Sequence, residues 1–367
     1  MSTRRTSGGF WAKTAIIVAM VLASQSSFPQ NGDTQNVITD LAKLLTENTN
    51  KILKKTEGAI EKYLDAKDSL YITPNLYNLT VMPQYSYYFE YYRFTSGKSG
   101  QGITLMPRIS SKVGLYIGWR WLFFGYNFNL DKGAPEKDFN FSFYTSKLGI
   151  DLFYRNRDKG YRIRDTRGFT KEAEAYTSRN KNFNGLTIRQ IGFNIYYIFN
   201  NKKFSYPAAY SQTTTQRISA GSFILGINYN EQSFTFDYSQ FSPIVEEQLV
   251  PELKFKNIKY KDFCINLGYS YNWVFARNYL ANISLTPGVG YKNTSLRLEN
   301  SRDILSNINF DLVTRAGIVY NNSKYFAGAS LVSHTYTYRK EAISLLNGFG
   351  VINIYFGAYF WKKKAKR

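Results

Sequence analysis

From Tyr77 onward the chain alternates apolar and polar residues with a period of two. Leu79, Val81, Tyr85, Tyr87, Phe89 and Tyr91 fall on one face, with Thr80, Gln84, Ser86 and Glu90 on the other. Phe263, Ile265, Leu267, Tyr269, Tyr271 and Trp273 alternate with Asp262, Cys264, Asn266, Gly268, Ser270 and Asn272. Ile308, Phe310, Leu312 and Ile318 alternate with Asn309, Asp311 and Gly317, and Ile352, Ile354, Phe356 and Phe360 repeat the pattern near the end. This is the periodicity of strands whose two faces meet different surroundings. About twelve segments carry it, at 77–94, 102–118, 121–131, 139–154, 186–200, 213–230, 232–241, 256–274, 279–294, 303–320, 324–339 and 346–361. Many run 14 to 18 residues, whereas strands in soluble domains average about 5–6. A tilted strand crossing a bilayer needs ~9–11 and continues beyond it. The pattern therefore predicts an all-β fold, an antiparallel transmembrane β-barrel of about 12 strands, apolar toward lipid and wet or packed within. A soluble β-sandwich would expose many long edges or need an unusually large core.

Connection lengths set the expected topology. Short turns near Gly118–Trp121, Asn230–Gln232, Ala276–Asn278 and Asn321–Ser323 alternate with longer loops at 95–101, 131–138, 201–212, 241–255, 295–302 and 340–345. Short periplasmic turns and long outer loops place both termini in the periplasm. Residues 155–185 break the alternation: either the strand count is off by one nearby, or a periplasmic insertion lies here.

Ahead of the strands, Arg4, Arg5 and Lys13 flank a short apolar run from Ala15 to Ala23, the parts of a secretory signal. Val37, Leu41, Leu44, Leu45, Ile52, Ile60 and Leu64 recur at roughly helical spacing, which predicts an amphipathic helix. The expected organisation is a signal peptide at 1–23, a periplasmic helical arm and linker at 24–76, the outer-membrane barrel at 77–361 and a basic tail at 362–367.

Composition sharpens this picture. Aromatics make up 17% of the 367 residues, yet mean hydropathy is only −0.36, which excludes a polytopic helical membrane protein. Alternation reconciles the two, because averaging over a barrel strand hides its lipid-facing half. A single Cys excludes a disulfide framework, and a single His makes a His-ligated metal centre a poor expectation. The formal charge is +21, and removal of Arg4, Arg5 and Lys13 takes it to +18. Ten of these charges fall in residues 155–185 and the tail, both at the periplasmic rim in this topology. There they would meet phosphate headgroups or an anionic cell-wall or periplasmic partner. Nucleic acid is not expected, because membrane strands already account for the aromatics that stacking would need.

Several stretches carry a family resemblance. YLDAKDSLYITPNLYNLTVMPQ, KVGLYIGWRWLFFGYNFNL, SKLGIDLFYR, IYYIFNNKKFSYPAAYSQTTTQR and SAGSFILGINY resemble the bacterial domain-of-unknown-function family 4421, regarded as outer-membrane β-barrels of Gram-negative bacteria. The most specific pieces are Gly118-Trp119-Arg120-Trp121 and Phe204-Ser205-Tyr206-Pro207-Ala208-Ala209. The resemblance implies outer-membrane lipid as surroundings and carries no catalytic residues. The closing segment, with Phe356, Phe360 and Trp361, resembles the strand read by the barrel-assembly machinery. It departs from that pattern in continuing through Lys362, Lys363, Lys364, Lys366 and Arg367.

Candidate chemistry is sparse. Ser333 and His334 are adjacent and so point to opposite faces. Ser330 and His334 share a face, about 13 Å apart at ~3.3 Å per residue, so an outer-membrane enzyme acting on lipid lacks its catalytic pair. The inward faces are expected to carry a polar network of Arg108, Arg120, Lys147, Arg189 and Arg315 with Asp151, Asp237, Asp262 and Asp311. Near balance of sign argues for ion pairing across a narrow or plugged lumen over a strongly anion-selective pore. Gly288-Val289-Gly290 and Gly348-Phe349-Gly350 open no helix, so neither signals nucleotide binding. No cofactor is expected. The sequence thus supports a narrow or plugged pore or a structural, partner-binding barrel, with a lipid enzyme or a secreted glycan binder as alternatives.

Overall fold

The computed structural model describes residues 68–107, 110–119, 122–130, 136–298, 302–340 and 343–363. The expected signal peptide and helical arm lie outside the described residues. The chain opens with β1 (Ile72–Pro74), β2 (Tyr77–Ser96), β3 (Gly102–Pro107), β4 (Ser110–Trp119), β5 (Leu122–Asn129), β6 (Glu136–Tyr144), β7 (Leu148–Asp158) and β8 (Tyr161–Arg167). Next come α1 (Lys171–Arg179), β9 (Asn182–Phe183), β10 (Leu186–Ile198), α2 (Tyr206–Tyr210), β11 (Thr214–Gln216), β12 (Ala220–Phe236) and α3 (Pro243–Glu246). The remainder is β13 (Phe255–Ala276), β14 (Tyr279–Leu298), β15 (Arg302–Asn321), β16 (Tyr325–Lys340) and β17 (Ile343–Lys362).

Twelve of these strands form one antiparallel wall in the order β5-β4-β2-β17-β16-β15-β14-β13-β12-β10-β7-β6. The wall curls into a barrel, since inward side chains from strands far apart in that order meet, Asp151 of β7 with Arg315 of β15 and Glu90 of β2 with Arg155 of β7. Among the described residues no backbone pairing joins β5 to β6. β3, β8 and β9 branch from the upper part of β2.

The strand number agrees with expectation through two offsetting differences. Segment 139–154 is a hairpin, β6 and β7. Its midpoint phase change is a tight turn in which Thr145 Oγ1 accepts from Lys147 N at 3.2 Å and Leu148 N at 2.8 Å. Conversely, Asn230–Gln232 is no turn, because β12 runs unbroken through it, paired with Gly192–Gln190 and Asp262–Tyr260. Splitting 139–154 moves residues 159–185 to the loop end, opposite Tyr77 and Lys362, so they are not an insertion at the turn end. It also places the long connection 199–219, expected as an outer loop, at the turn end, where the other connections are short. Arg155 and Arg157, counted in that basic segment from sequence, belong to β7 and are buried.

The outer surface of the wall carries an apolar belt. Phe263, Ile265, Leu267, Tyr269 and Trp273 of β13 are 47–57% exposed, and Ile283, Leu285, Val289, Ile308, Phe310, Ile354 and Phe356 continue the belt on neighbouring strands. From Phe263 to Trp273 is ten residue steps, which at ~3.3 Å each and a tilt of ~40° span roughly 25 Å of height. That is the height of a barrel's lipid-facing band. Aromatic rows edge it: Phe193, Tyr229, Phe263 and Tyr291 lie side by side toward the loop end, and Trp273, Phe275, Tyr279 and Tyr320 cluster near the turns. Such girdles suit the two water–lipid boundaries.

Beyond the loop-end girdle the polarity of the strands inverts. On β12 the inward residues change from Asn228, Asn230 and Gln232 to Phe234 and Phe236, and on β13 the outward residues become Lys261, Lys259 and Lys256. The inverted stretches enclose an apolar dome of Tyr92, Phe94, Phe234, Phe236, Phe255 and Ile258, closed over by Ile163 of β8, Phe183 of β9, Val245 of α3 and Leu253. Phe236 stacks on Phe255 with ring centroids 4.7 Å apart. Phe236→Ala should cost about 3–5 kcal/mol, readable as an earlier midpoint in urea unfolding of the micelle-bound protein.

Candidate functional site

The interior is filled from the turn end by the connection between β10 and β12. Ser205 caps α2, its Oγ accepting from Ala208 N at 3.3 Å, and Pro207 presets the first-turn backbone. This short helix is buried inside the wall. Tyr206 Oη and Ser284 Oγ of β14 share a hydrogen bond of 2.8 Å, and Tyr210 Oη donates to Asn282 Oδ1. Asn272 Nδ2 donates to the carbonyls of Ser205 at 2.8 Å and of the Gln216 side chain at 3.1 Å. Gln212 closes the far side, receiving Asn321 Nδ2 on its side-chain oxygen at 3.1 Å and Tyr359 Oη on its backbone carbonyl at 2.7 Å. β1 pairs antiparallel with β11, tying the entering chain to this plug. Tyr206→Phe removes one buried hydrogen bond. It should cost about 1 kcal/mol without altering the fold, as a small shift in the unfolding midpoint with unchanged heat-modifiability.

Above the plug lie buried ion pairs. Arg315 of β15 meets Asp151 of β7 at 2.8 Å, flanked by the rings of Tyr196 and Tyr206 at 5.3 and 5.8 Å from its guanidinium carbon. Tyr144 Oη donates to the other oxygen of Asp151 at 3.0 Å. A cavity of about 10 Å³ lies beside this pair, lined by Asn194, Asn266, Thr286 and Val313 among others, room for about one water. Nearer the dome, Lys292 Nζ sits 3.4 Å from Asp262, both wholly buried, and 4.3 Å from the centre of the Tyr260 ring. Asn309 Nδ2 bridges Asp262 and Asp311 at 3.3 and 3.0 Å. Glu90 receives Arg155 at 2.9 Å, with Arg157 at 3.9 Å, and accepts from Tyr92 Oη at 2.9 Å. Among the described residues the inward charges are Lys112, Arg155, Arg157, Lys292 and Arg315 against Glu90, Asp151, Asp262 and Asp311.

The residues expected to form the lumen network are distributed as follows. Asp151, Asp262 and Arg315 are inside and in the pairs just described, and Asp311 is inside and joined to Asp262 through Asn309. Arg108 and Arg120 lie outside the described residues. Lys147 is not on an inward strand face: it sits in the β6–β7 turn. Arg189 is exposed on the outside of β10, between the inward Ile188 and Gln190, because it lies in the loop-end stretch where the polarity has inverted. Asp237 is exposed at the loop end, beyond β12, where it caps a short helical turn. Hydrogen bonds from Ser239 Oγ at 2.6 Å and Gln240 Nε2 at 3.1 Å hold its carboxyl below the usual range.

Glu90, Lys112, Arg155, Arg157 and Lys292 were absent from that expected set. Lys292 was legible by phase, since outward Val289 and Tyr291 place it on the inward parity of Gly288 and Gly290. His334 points inward and stacks on Phe349, with ring centroids 5.0 Å apart, and Tyr336 lies 6.3 Å from the imidazole and 5.8 Å from Phe349. Ser330 Oγ accepts from Asn353 Nδ2 at 3.4 Å. Rings surround the imidazole, and Ser330 belongs to a lower polar layer.

The model of the family described as Domain of unknown function (DUF4421) matches residues 66–360. No curated protein matches the sequence. Among solved structures, the chain is similar to the translocator domain of autotransporter NalP from Neisseria meningitidis, at 8% identity, 85% of this chain, 96% of that chain and a TM-score of 0.35. It is also similar to the toluene transporter TodX of Pseudomonas putida, at 8% identity, 77% and 90% coverage and a TM-score of 0.26. A third is Ail, the attachment invasion locus protein of Yersinia pestis, in complex with a heparin analogue, at 9% identity, 76% and 99% coverage and a TM-score of 0.23.

Proposed function

The chain belongs to the DUF4421 family, and from that premise we propose that it is an integral outer-membrane barrel with a sealed lumen. Its work is then done at its two faces, as a structural or partner-binding protein, with the turn end and both termini in the periplasm. The observation that carries this reading is the double closure: the plug at residues 199–219 fills the turn end, and the apolar dome fills the loop end. Between them, Arg315 pairs with Asp151, Lys292 with Asp262, and Arg155 and Arg157 with Glu90, so charges of both signs line the interior together and no single sign lines a path for ions. The apolar belt of roughly 25 Å and its aromatic edges support the membrane setting.

The deciding experiment is purification in detergent followed by reconstitution into a planar bilayer. Folded protein, recognised by a boiling-dependent shift on a gel, should give no conductance steps. Stepwise conductance from the unaltered chain would overturn the sealed-lumen reading.

A further inference from the structure

Immediately beyond the loop-end aromatic row, the outside of the wall carries a cluster of basic side chains set by strand register. Arg189 of β10, Ser233 of β12 and Lys259 of β13 lie side by side in one row. Ile191, Glu231 and Lys261 lie in the next row toward the belt. The lysine side chains are 50% and 60% exposed, and Arg189 and Lys256 are exposed as well. Glu231 draws the two lysines together, at 2.7 Å from Lys259 and 3.8 Å from Lys261, and accepts from Tyr229 Oη of the girdle. Asp158 lies one row farther from the belt, beside Thr187, and makes no ion pair with Arg189. Four cations thus face two carboxylates. Arg189 and Lys259 are two strands apart, roughly 10 Å at the backbone, within reach of one anion held between them.

Height decides what that anion is. Phe263 marks the edge of the apolar belt, and Lys261 and Lys259 are the next two outward residues along the same strand. They stand roughly 5 and 10 Å above it, at the level of lipid headgroups. Ile191, in the row of Lys261, and Phe263 and Ile265, below it, are 48–55% exposed, a surface for acyl chains. We propose that Arg189, Lys259 and Lys261 hold the phosphate of an anionic membrane lipid in the loop-side leaflet, with its chains lying over Ile191 and Ile265. The guanidinium fork and the two ammonium groups suit phosphate oxygens, and Ser233 supplies a hydroxyl between them. This inference rests on the membrane reading above.

The test reconstitutes the full chain into phosphatidylcholine vesicles containing spin-labelled phosphatidic acid, with spin-labelled phosphatidylcholine as comparator. Wild type should immobilise phosphatidic acid in preference. Since each basic residue at a membrane surface is worth about fivefold in affinity, Arg189→Gln with Lys259→Gln and Lys261→Gln should weaken the preference on the order of a hundredfold. The control removes the same charge at the turn end, through Lys202→Gln, Arg277→Gln and Lys324→Gln, and should keep the preference. A triple variant that inserts, keeps its heat-modifiability and still prefers phosphatidic acid overturns the inference. So does displacement of the lipid by inorganic phosphate at matching concentration, which would make this a soluble-anion site. A chain that never enters the vesicles overturns the membrane reading, and the inference with it.

Discussion

Lys292→Met should lower the stability of the folded barrel by about 3–5 kcal/mol, the cost of leaving a buried charge without its partner. Lys292 and Asp262 are both wholly buried and 3.4 Å apart, and Asp311 is joined to Asp262 through Asn309. Without the ammonium group, two carboxyls share an enclosure in which the Asn309 amide bridges them but no cation compensates them. Adding Asp262→Asn removes one of those charges, and the double variant should recover about 2 kcal/mol or more of the loss. Urea unfolding in micelles, with the four chains of a double-mutant cycle compared, measures both numbers. Additive losses in the two single variants would mean that the pair is not coupled.

The second large effect concerns the single thiol. Cys264 is inward on β13, wholly buried, between the Asp262 and Asn266 layers. If plug and dome both close, a water-soluble maleimide should label native Cys264 at least ~10³-fold more slowly than the urea-unfolded chain. Access then needs an opening that costs several kcal/mol. A water-filled lumen would let the reagent in at nearly the unfolded rate. The same assay locates the weaker seal. Replacing Tyr206–Gln212 with a Gly-Ser linker should speed labelling if the turn end limits access, whereas Phe236→Ala should do so if the dome limits it.

Much of the wall was legible from alternation, and the exceptions have one physical cause. A strand inside the bilayer faces lipid outside and a polar layer inside, so Phe263 and Asp262 are assigned their sides unambiguously. The same strands continue above the membrane, where water lies outside and the apolar dome inside, and the assignment reverses. Glu231, Ser233 and Thr235 then make β12 polar on its outer face beside Asn230 and Gln232, and the crossover imitates a turn. Arg189 was placed inward for the same reason. The β6–β7 turn escaped notice because Thr145-Ser146-Lys147 contains neither Gly, Pro nor Asn, leaving the phase change as its signal. The plug was hidden more completely. Phe204–Gln216 looks like an ordinary connection, and only the three-dimensional course of the wall brings Tyr206 to Ser284 and Gln212 to Tyr359. Likewise the pairing of Glu90 with Arg155 depends on which strands curl to face each other, which periodicity along one strand does not record.

The pairing of β1 with β11 makes the molecule responsive to mechanical load in a particular order. A pull applied to the chain ahead of Asp68 meets three pairs of residues, Ile72 with Gln216, Thr73 with Thr215 and Pro74 with Thr214, before it meets the long pairing of β2 with β17. Tension therefore reaches the stopper first and the wall last. The short ribbon is a handle on the plug, and its release is a far smaller event than unfolding the barrel.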